Sequence, residues 1–332
     1  MNSIKKKMKE LPGIGPGLVA AKRWLMSFRP RHVWLYTLKP ALVQRIIAIL
    51  RSLVNVHTLS VTKDATIVGT GSARFYWQPG DAYSLLGYPL RGTFEDAETR
   101  IAIELARTSN VIIDVGANFG WYACHFLASM PENSELHLFE PAPSILPQLT
   151  GNLELNRRTG ITMVLNELCL SDSAGESILY VPVNEGEAFA SIRPQSLYGK
   201  FMEIRRPTMT LDAYCQAHGL TKVDFLKIDV EGAELKVLAG AKQLLSSSVQ
   251  PAILIESQDY TVRAFDCSVR DVLDYIRQYG YRGYVFTVKT GALVPLTDQT
   301  MDAGYNYLFL GRGTPAADAI IQRHIAGARG GA

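Results

Sequence analysis

Lys227, Asp229 and Glu231 fall at alternating positions in Asp224-Phe-Leu-Lys-Ile-Asp-Val-Glu-Gly-Ala-Glu234. In an extended strand such positions point the same way. A carboxylate beside an ammonium group can take a hydroxyl proton and stabilise the oxygen left behind. Asp229 is therefore the first candidate for a general base and Glu231 the second, with Lys227 tuning their charge. Glu234 follows about one helical turn later. The alternative is an ion-pair network of Lys227, Glu231 and Glu234 that only closes the turn. Glu256 ends the next apolar run, Leu254-Ile-Glu256. With Asp229 it could instead offer oxygen ligands to Mg²⁺.

A second run places an acid before a glycine turn: Val111-Ile-Ile-Asp-Val-Gly-Ala-Asn-Phe-Gly120. An apolar run that ends in glycines and leads into a helix begins a βα unit. Gly116 and Gly120 let the backbone turn tightly, and the helix N-terminus behind them suits an anion. A phosphate-binding loop of the GxxxxGK[ST] form is excluded, because residues 116–123 contain no lysine. A dinucleotide fingerprint, GxGxxG, has Asn118 at its second glycine and Trp121 at its third. S-adenosylmethionine remains. Asp114 would attract its ammonium group, and backbone N–H groups of residues 116–120 would face its carboxylate. Glu140 ends the second strand twenty residues beyond Gly120, where an acid can hold both ribose hydroxyls. Ser171 and Asp172 close a third strand, either reaching the adenine amino group or simply starting a turn.

The elements that position these groups alternate regularly. Strands are expected over 111–115, 135–140, 161–182, 223–229 and 251–256. Helices are expected over 119–130, 143–156, 211–218, 233–247 and 268–279. This pattern specifies an α/β protein with a doubly wound, mostly parallel sheet. Strands near 281–288, 292–296 and 305–311 follow, the first two joined by a hairpin turn at Lys289-Thr-Gly291. Ahead of the alternation, short runs over 56–77 read as a small antiparallel extension, and Thr93 as the N-cap of a helix reaching Ala106. Residues 183–207 read as a polar irregular loop able to cover a substrate. Three divisions are expected: a basic helical extension over 1–65, a catalytic domain over 66–311 and a flexible tail over 312–332, in which residues 314–332 read as a loose helix fading into a Gly/Ala end.

A chain of 332 residues, 47% hydrophobic, 20% charged and with a formal charge of +3 is an ordinary globular protein with no bias toward nucleic acid. Residues 1–51 nonetheless hold eleven Lys or Arg and one acid. Such a basic amphipathic stretch either packs on its own domain or rests on an anionic membrane. No secretory signal or spanning helix is evident. Cys124, Cys169, Cys215 and Cys267 lie far apart, consistent with free thiols in the cytoplasm. His125 and His137 are expected to be structural.

The sequence resembles the FkbM-type methyltransferases over roughly residues 66–311. Asp114-Val-Gly-Ala-Asn-Phe-Gly120, Phe139-Glu-Pro141, Leu170-Ser-Asp172, Thr210-Leu-Asp212, the run from Asp224 to Glu234 and Asn306-Tyr-Leu-Phe309 carry the resemblance. Phe94-Glu95 resembles the aromatic-Glu pair ahead of the first strand. The resemblance implies a class I, Rossmann-like, seven-stranded methyltransferase fold that methylates a hydroxyl of a sugar, glycolipid or polyketide-like molecule. It adds Glu95, Ala117, Phe119 and Pro141 to the residues around the cofactor, beside Asp114, Gly116, Asn118, Gly120 and Glu140. Two other functions stay open, a catalytically silent binding module and a dinucleotide-dependent oxidoreductase.

Overall fold

The computed structural model describes residues 58–61, 66–77, 95–183, 189–195 and 199–329. The helical part of the N-terminal extension lies outside these residues, as does Thr93. A small antiparallel meander comes first: β1 (Thr58–Val61), β2 (Thr66–Thr70) and β3 (Ala73–Trp77). Next are α1 (Asp96–Ala106), β4 (Val111–Val115), α2 (Trp121–Ser129), β5 (Ser134–Phe139), α3 (Leu146–Leu155) and β6 (Ile161–Asn166). A second small sheet holds β7 (Cys169–Leu170), β8 (Gly175–Pro182) and β9 (Phe201–Met209). The chain returns through α4 (Leu211–Ala217), β10 (Phe225–Ile228), α5 (Glu234–Ala239), α6 (Lys242–Ser246), β11 (Ala252–Glu256), α7 (Asp259–Val262) and α8 (Val269–Arg277). It closes with β12 (Arg282–Phe286), β13 (Leu293–Pro295), β14 (Asn306–Leu310) and α9 (Pro315–Arg329).

The main sheet runs β13-β12-β14-β11-β10-β4-β5-β6. Five adjacent strands, β11 to β6 in that order, are parallel; β14 is antiparallel to both its neighbours. The sheet has eight strands rather than the expected seven because the hairpin strand β13 joins its edge. The chain winds outward from β4 to β6, then crosses back to β10. The sheet therefore reverses direction between β4 and β10, and open α/β sheets bind ligands at such a point.

Alternation along the strands fills two cores. Ile112, Leu136, Leu138, Phe225, Leu254 and Leu308 face α1, α2 and α9 on one side. Ile113, Phe139, Leu226, Ile228, Ile253 and Phe309 face α4, α5 and α8 on the other. Strands apolar on both faces are what a central parallel sheet requires.

Four expectations change. Part of the loop expected over 183–207 is strand, since β9 pairs with all of β8 and gives those polar residues a ladder. The single helix expected over 233–247 is broken at Gly240, where an added Cβ would lie 2.2 Å from the Ser171 carbonyl oxygen. The helix over residues 315–329, expected to be loose, is held by Ile320 and Ile321, which are buried. The N-cap of α1 is Glu95, which makes no side-chain cap bond. No helix among the described residues is long and apolar enough to cross a membrane.

Candidate active site

Register decides which acids meet. Asp114 and Lys227 are directly opposed partners on β4 and β10, and Leu254 follows across β11. One pleat further on, past the end of β10, Asp229 leads to Glu256, which is opposed to Asn306 on β14. These residues share the face covered by α1 and α2. Lys227 Nζ lies 3.3 Å from Asp229 Oδ2 and 3.8 Å from Asp114 Oδ1. It also sits 4.8 Å from the centre of the Tyr122 ring on α2, a cation–π contact. The Tyr122 hydroxyl donates to Glu95 Oε2 at 2.6 Å, and Asn306 Nδ2 donates to Glu95 Oε1 at 3.4 Å.

The electrostatics follow from this crowding. Burial opposes the charge on Lys227, but Asp229, Asp114, Glu95 and Glu256 outweigh it and hold the ammonium above its ordinary pKa. Burial pushes the Asp114 carboxyl up to about 6, against the pull of Lys227. Burial also raises Glu95, Glu231 and Glu256, and the charge of Asp229 adds to each. Glu231 and Glu256 are thereby pushed well above the carboxylate range. Asp229 is the acid among them that ion-pairs with Lys227 at 3.3 Å while its side chain stays 32% exposed.

The glycine turn sits over the end of β5. Gly116 has φ +83°, and a Cβ there would lie 1.8 Å from the Asp229 carbonyl oxygen. Only glycine permits this approach of the β4 turn to β10. Gly116 and Ala117 N–H groups donate to the Phe139 carbonyl at 2.9 and 3.0 Å. Asn118, at φ +50°, donates its N–H to Glu140 Oε2 at 2.8 Å, and Gly120 N–H goes to the Ala117 carbonyl at 2.9 Å. The Phe119 N–H is taken by Asn118 Oδ1 at 2.7 Å. The turn amides expected to face a ligand carboxylate are thus engaged in shaping the turn itself.

Gly116, Asn118, Glu140, Pro141, Asp229 and Glu231 line one cleft, with Ser191 on its far wall. Ala117, Phe119 and Gly120 shape the turn and do not line it. Glu140 Oε1 also accepts from the Ala142 N–H at 2.8 Å. Burial lifts this carboxyl to about 7 despite both backbone bonds. Glu231 lies beyond the strand at φ +51°, so alternation with Lys227 and Asp229 no longer aims it. Its carbonyl accepts from Ser191 Oγ at 2.7 Å and Gln195 Nε2 at 2.9 Å. Glu234 does not pair with Lys227. It accepts from the Gly232 N–H at 2.8 Å and closes its own turn.

Ser171 and Asp172 are not brought into this cleft. Asp172 pairs with Lys236 on α5 at 2.9 Å and accepts from Ser171 and Ser173, on a neighbouring polar depression. The two histidines are structural. His137 bonds to the Tyr214 hydroxyl at 2.8 Å, and His125 packs against both Phe75 and Trp121, where burial lowers it to about 4. The four cysteines are free. Among the described residues no cluster of three or more His, Cys, Asp or Glu could hold a metal ion. Sequence reasoning missed Tyr122, Asn306 as a partner of Glu95, Ser191 and Gln195. Their roles depend on which elements pack together, and no local pattern marks them.

Both oxygens of Asp114 are buried without a hydrogen-bond donor, Lys227 being too distant to bond. An orphaned carboxylate under a glycine turn suits an ammonium group. Glu140 accepts two hydrogen bonds of the roughly four a carboxylate can take, which leaves capacity for ribose hydroxyls. A turn without lysine, an acid at the second strand end and a cleft at the strand reversal fit an α/β fold of the methyltransferase class. The model of the methyltransferase FkbM domain matches residues 114–282, about half the chain, and the chain belongs to that family.

Three relatives show its range. The 2-O-methyltransferase NoeI of Sinorhizobium fredii is 29% identical over 188 residues, spanning 53% of this chain and 74% of that protein. The hexuronic acid methyltransferase AglP of Haloferax volcanii is 31% identical over 163 residues, spanning 48% of this chain and 60% of that one. The 31-O-demethyl-FK506 methyltransferase FkbM of Streptomyces tacrolimicus is 24% identical, spanning 68% of this chain and 89% of its own. The protein is thus a methyltransferase of the FkbM family.

Proposed function

We propose that this enzyme methylates a hydroxyl of a sugar or polyketide-like small molecule and that Asp229 takes the hydroxyl proton. The observation that carries this reading is the row Asp114, Lys227 and Asp229 at the sheet reversal: a buried orphan carboxylate, one cation, and an acid open to the cleft. The 2-O and 31-O positions in the names of two relatives support a hydroxyl acceptor, and the hexuronic acid in the name of a third supports a sugar.

S-adenosylmethionine supplies an activated methyl group when bound. Asp114 would hold its ammonium group and Glu140 its ribose, beneath Gly116 and Asn118. Asp229 stands at the mouth beside the same turn, with Lys227 Nζ 3.3 Å from its Oδ2. A base within hydrogen-bond reach of the acceptor contributes on the order of 10²–10⁴-fold to the rate. Glu231, pushed well above the usual carboxylate range by burial and by Asp229, is the weaker candidate. Lys227 would steady the oxygen as its proton leaves. Tyr122 and Glu95 fix the ammonium from the helix side.

The test is a methyl-transfer screen with labelled S-adenosylmethionine against sugars, uronic acids, glycolipids and polyketide alcohols. Once an acceptor is found, Asp229→Asn is expected to lower kcat at least about 100-fold while binding S-adenosylhomocysteine as wild type does. Unchanged turnover in that variant rejects Asp229 as the base. Absence of S-adenosyl ligand binding by the wild type rejects the whole reading.

A further inference from the structure

The small N-terminal sheet touches the cofactor turn at three places, by three kinds of contact. The Phe75 ring of β3 stacks on Trp121, the first residue of α2, with centroids 5.3 Å apart and planes 15° apart. The same ring meets Phe119 edge-on at 6.4 Å. The third contact runs through Asn152, which is fully buried on α3. Its Oδ1 accepts from the Tyr76 N–H of β3 at 2.8 Å, and its Nδ2 donates to the Phe119 carbonyl at 2.8 Å. One turn on, Asn156 repeats half of this arrangement. It accepts from the Arg74 N–H at 2.9 Å and donates to the Arg74 carbonyl at 2.6 Å. Helix α3 thus presents two amide side chains to the edge of β3 as a neighbouring strand would. Only the first of them reaches the turn.

We infer that Asn152 is a positioning residue for cofactor binding, fixing the Asn118–Gly120 turn by holding the Phe119 carbonyl and tying it to strand β3 of the extension. Asn118 is at φ +50° and Gly120 at φ +91°, so the peptides on either side of Phe119 have little freedom once that carbonyl is fixed. Asn118 in turn holds Glu140 through its N–H. A displaced Phe119 carbonyl therefore shifts the contact that sets the ribose-binding carboxylate. Trp121, the residue that broke the dinucleotide fingerprint, has its ring on Phe75 and its indole N–H on Thr99 Oγ1 at 2.9 Å. A bulky residue fits there because the extension and α1 supply a wall for it.

This inference rests on the S-adenosylmethionine reading, and the probe is S-adenosylhomocysteine in calorimetry on the full chain. Asn152→Asp keeps the acceptor for Tyr76 and loses the donor to Phe119. Asn152→Ala loses both. Asn156→Ala loses its hydrogen bonds to β3 and one to the Asn152 backbone carbonyl at 2.7 Å, and none to the turn. The expected result is a Kd raised on the order of tenfold in both Asn152 variants at temperatures well below their Tm. Asn156→Ala should lower Tm with a clearly smaller change in Kd. An Asn152→Asp affinity within twofold of wild type, or an equal loss in Asn156→Ala, overturns the inference while leaving the cofactor reading intact. A wild-type chain that fails to bind S-adenosylhomocysteine refutes the cofactor reading itself.

Discussion

Asp114 is a fully buried carboxylate with no donor on either oxygen and one cation 3.8 Å away. Burying such a group costs several kcal/mol unless it is paired, and the cost appears as a pKa raised to about 6. A cationic ligand that reaches it converts that cost into affinity. Asp114→Asn should therefore weaken S-adenosylmethionine binding about 10- to 100-fold in calorimetry, the range for a charge-assisted hydrogen bond. Wild-type affinity should also fall as pH drops below about 6, where Asp114 takes up a proton. Full affinity in the variant across that range refutes the role. The sequence marked Asp114 because an acid inside an apolar run is rare. It did not mark Tyr122, and it gave Asn306 a place in a motif but no partner; the polar groups of both meet Glu95 only after α1, α2 and β14 converge.

At the scale of elements, the turn from β10 into α5 shows where alternation stops being a guide. Strand geometry carried Lys227 and Asp229 to one face as expected. Glu231 and Gly232 then take positive φ values of 51° and 102°, and the side chains are aimed by what the turn meets. A Cβ on Gly232 would lie 2.4 Å from the Thr261 carbonyl oxygen, so the turn is pressed onto α7. Glu234 closes it from within, one oxygen on the Gly232 N–H and the other without a partner. Burial raises that carboxyl to about 7. A folded pKa above the unfolded one favours folding at low pH, and this stability is lost as pH rises through about 7. Thermal melts of the ligand-free protein should thus show Tm falling from pH 5 to pH 8, with Asp114 and Glu140 contributing in the same sense. Glu234→Gln should flatten that slope and raise Tm at pH 8. A slope as steep as wild type in the variant excludes Glu234 as a source.

For the whole molecule, α9 is tied to α1, the first helix among the described residues. Arg323 and His324 both reach Glu104 at 3.0 Å, Arg282 reaches Asp318 at 3.0 Å, and Ile320 and Ile321 are buried. The exposed ion pairs add little. The two isoleucines contribute roughly 1.5–3 kcal/mol each. Truncation after Thr314 is expected to lower Tm by about 5–10 °C in differential scanning fluorimetry. A change under about 2 °C would mean that the segment behaves as the flexible tail its Gly- and Ala-rich ending suggested.

The sequence by itself determined the α/β class, the order of strands and helices, the glycine turn and the acids at the strand ends. These follow from periodicity, from residues that break it, and from fixed spacing, all of which are local. Tertiary structure alone decided register, which set Lys227 opposite Asp114 and Asp229 level with Glu256. It also turned Asp172 away onto Lys236, engaged the turn amides in the turn itself, and made the N-terminal sheet a wall of the Phe119–Trp121 segment. Each of these depends on contacts between residues far apart in the chain. A side chain's partners there are fixed by how elements pack, and no nearby pattern records them.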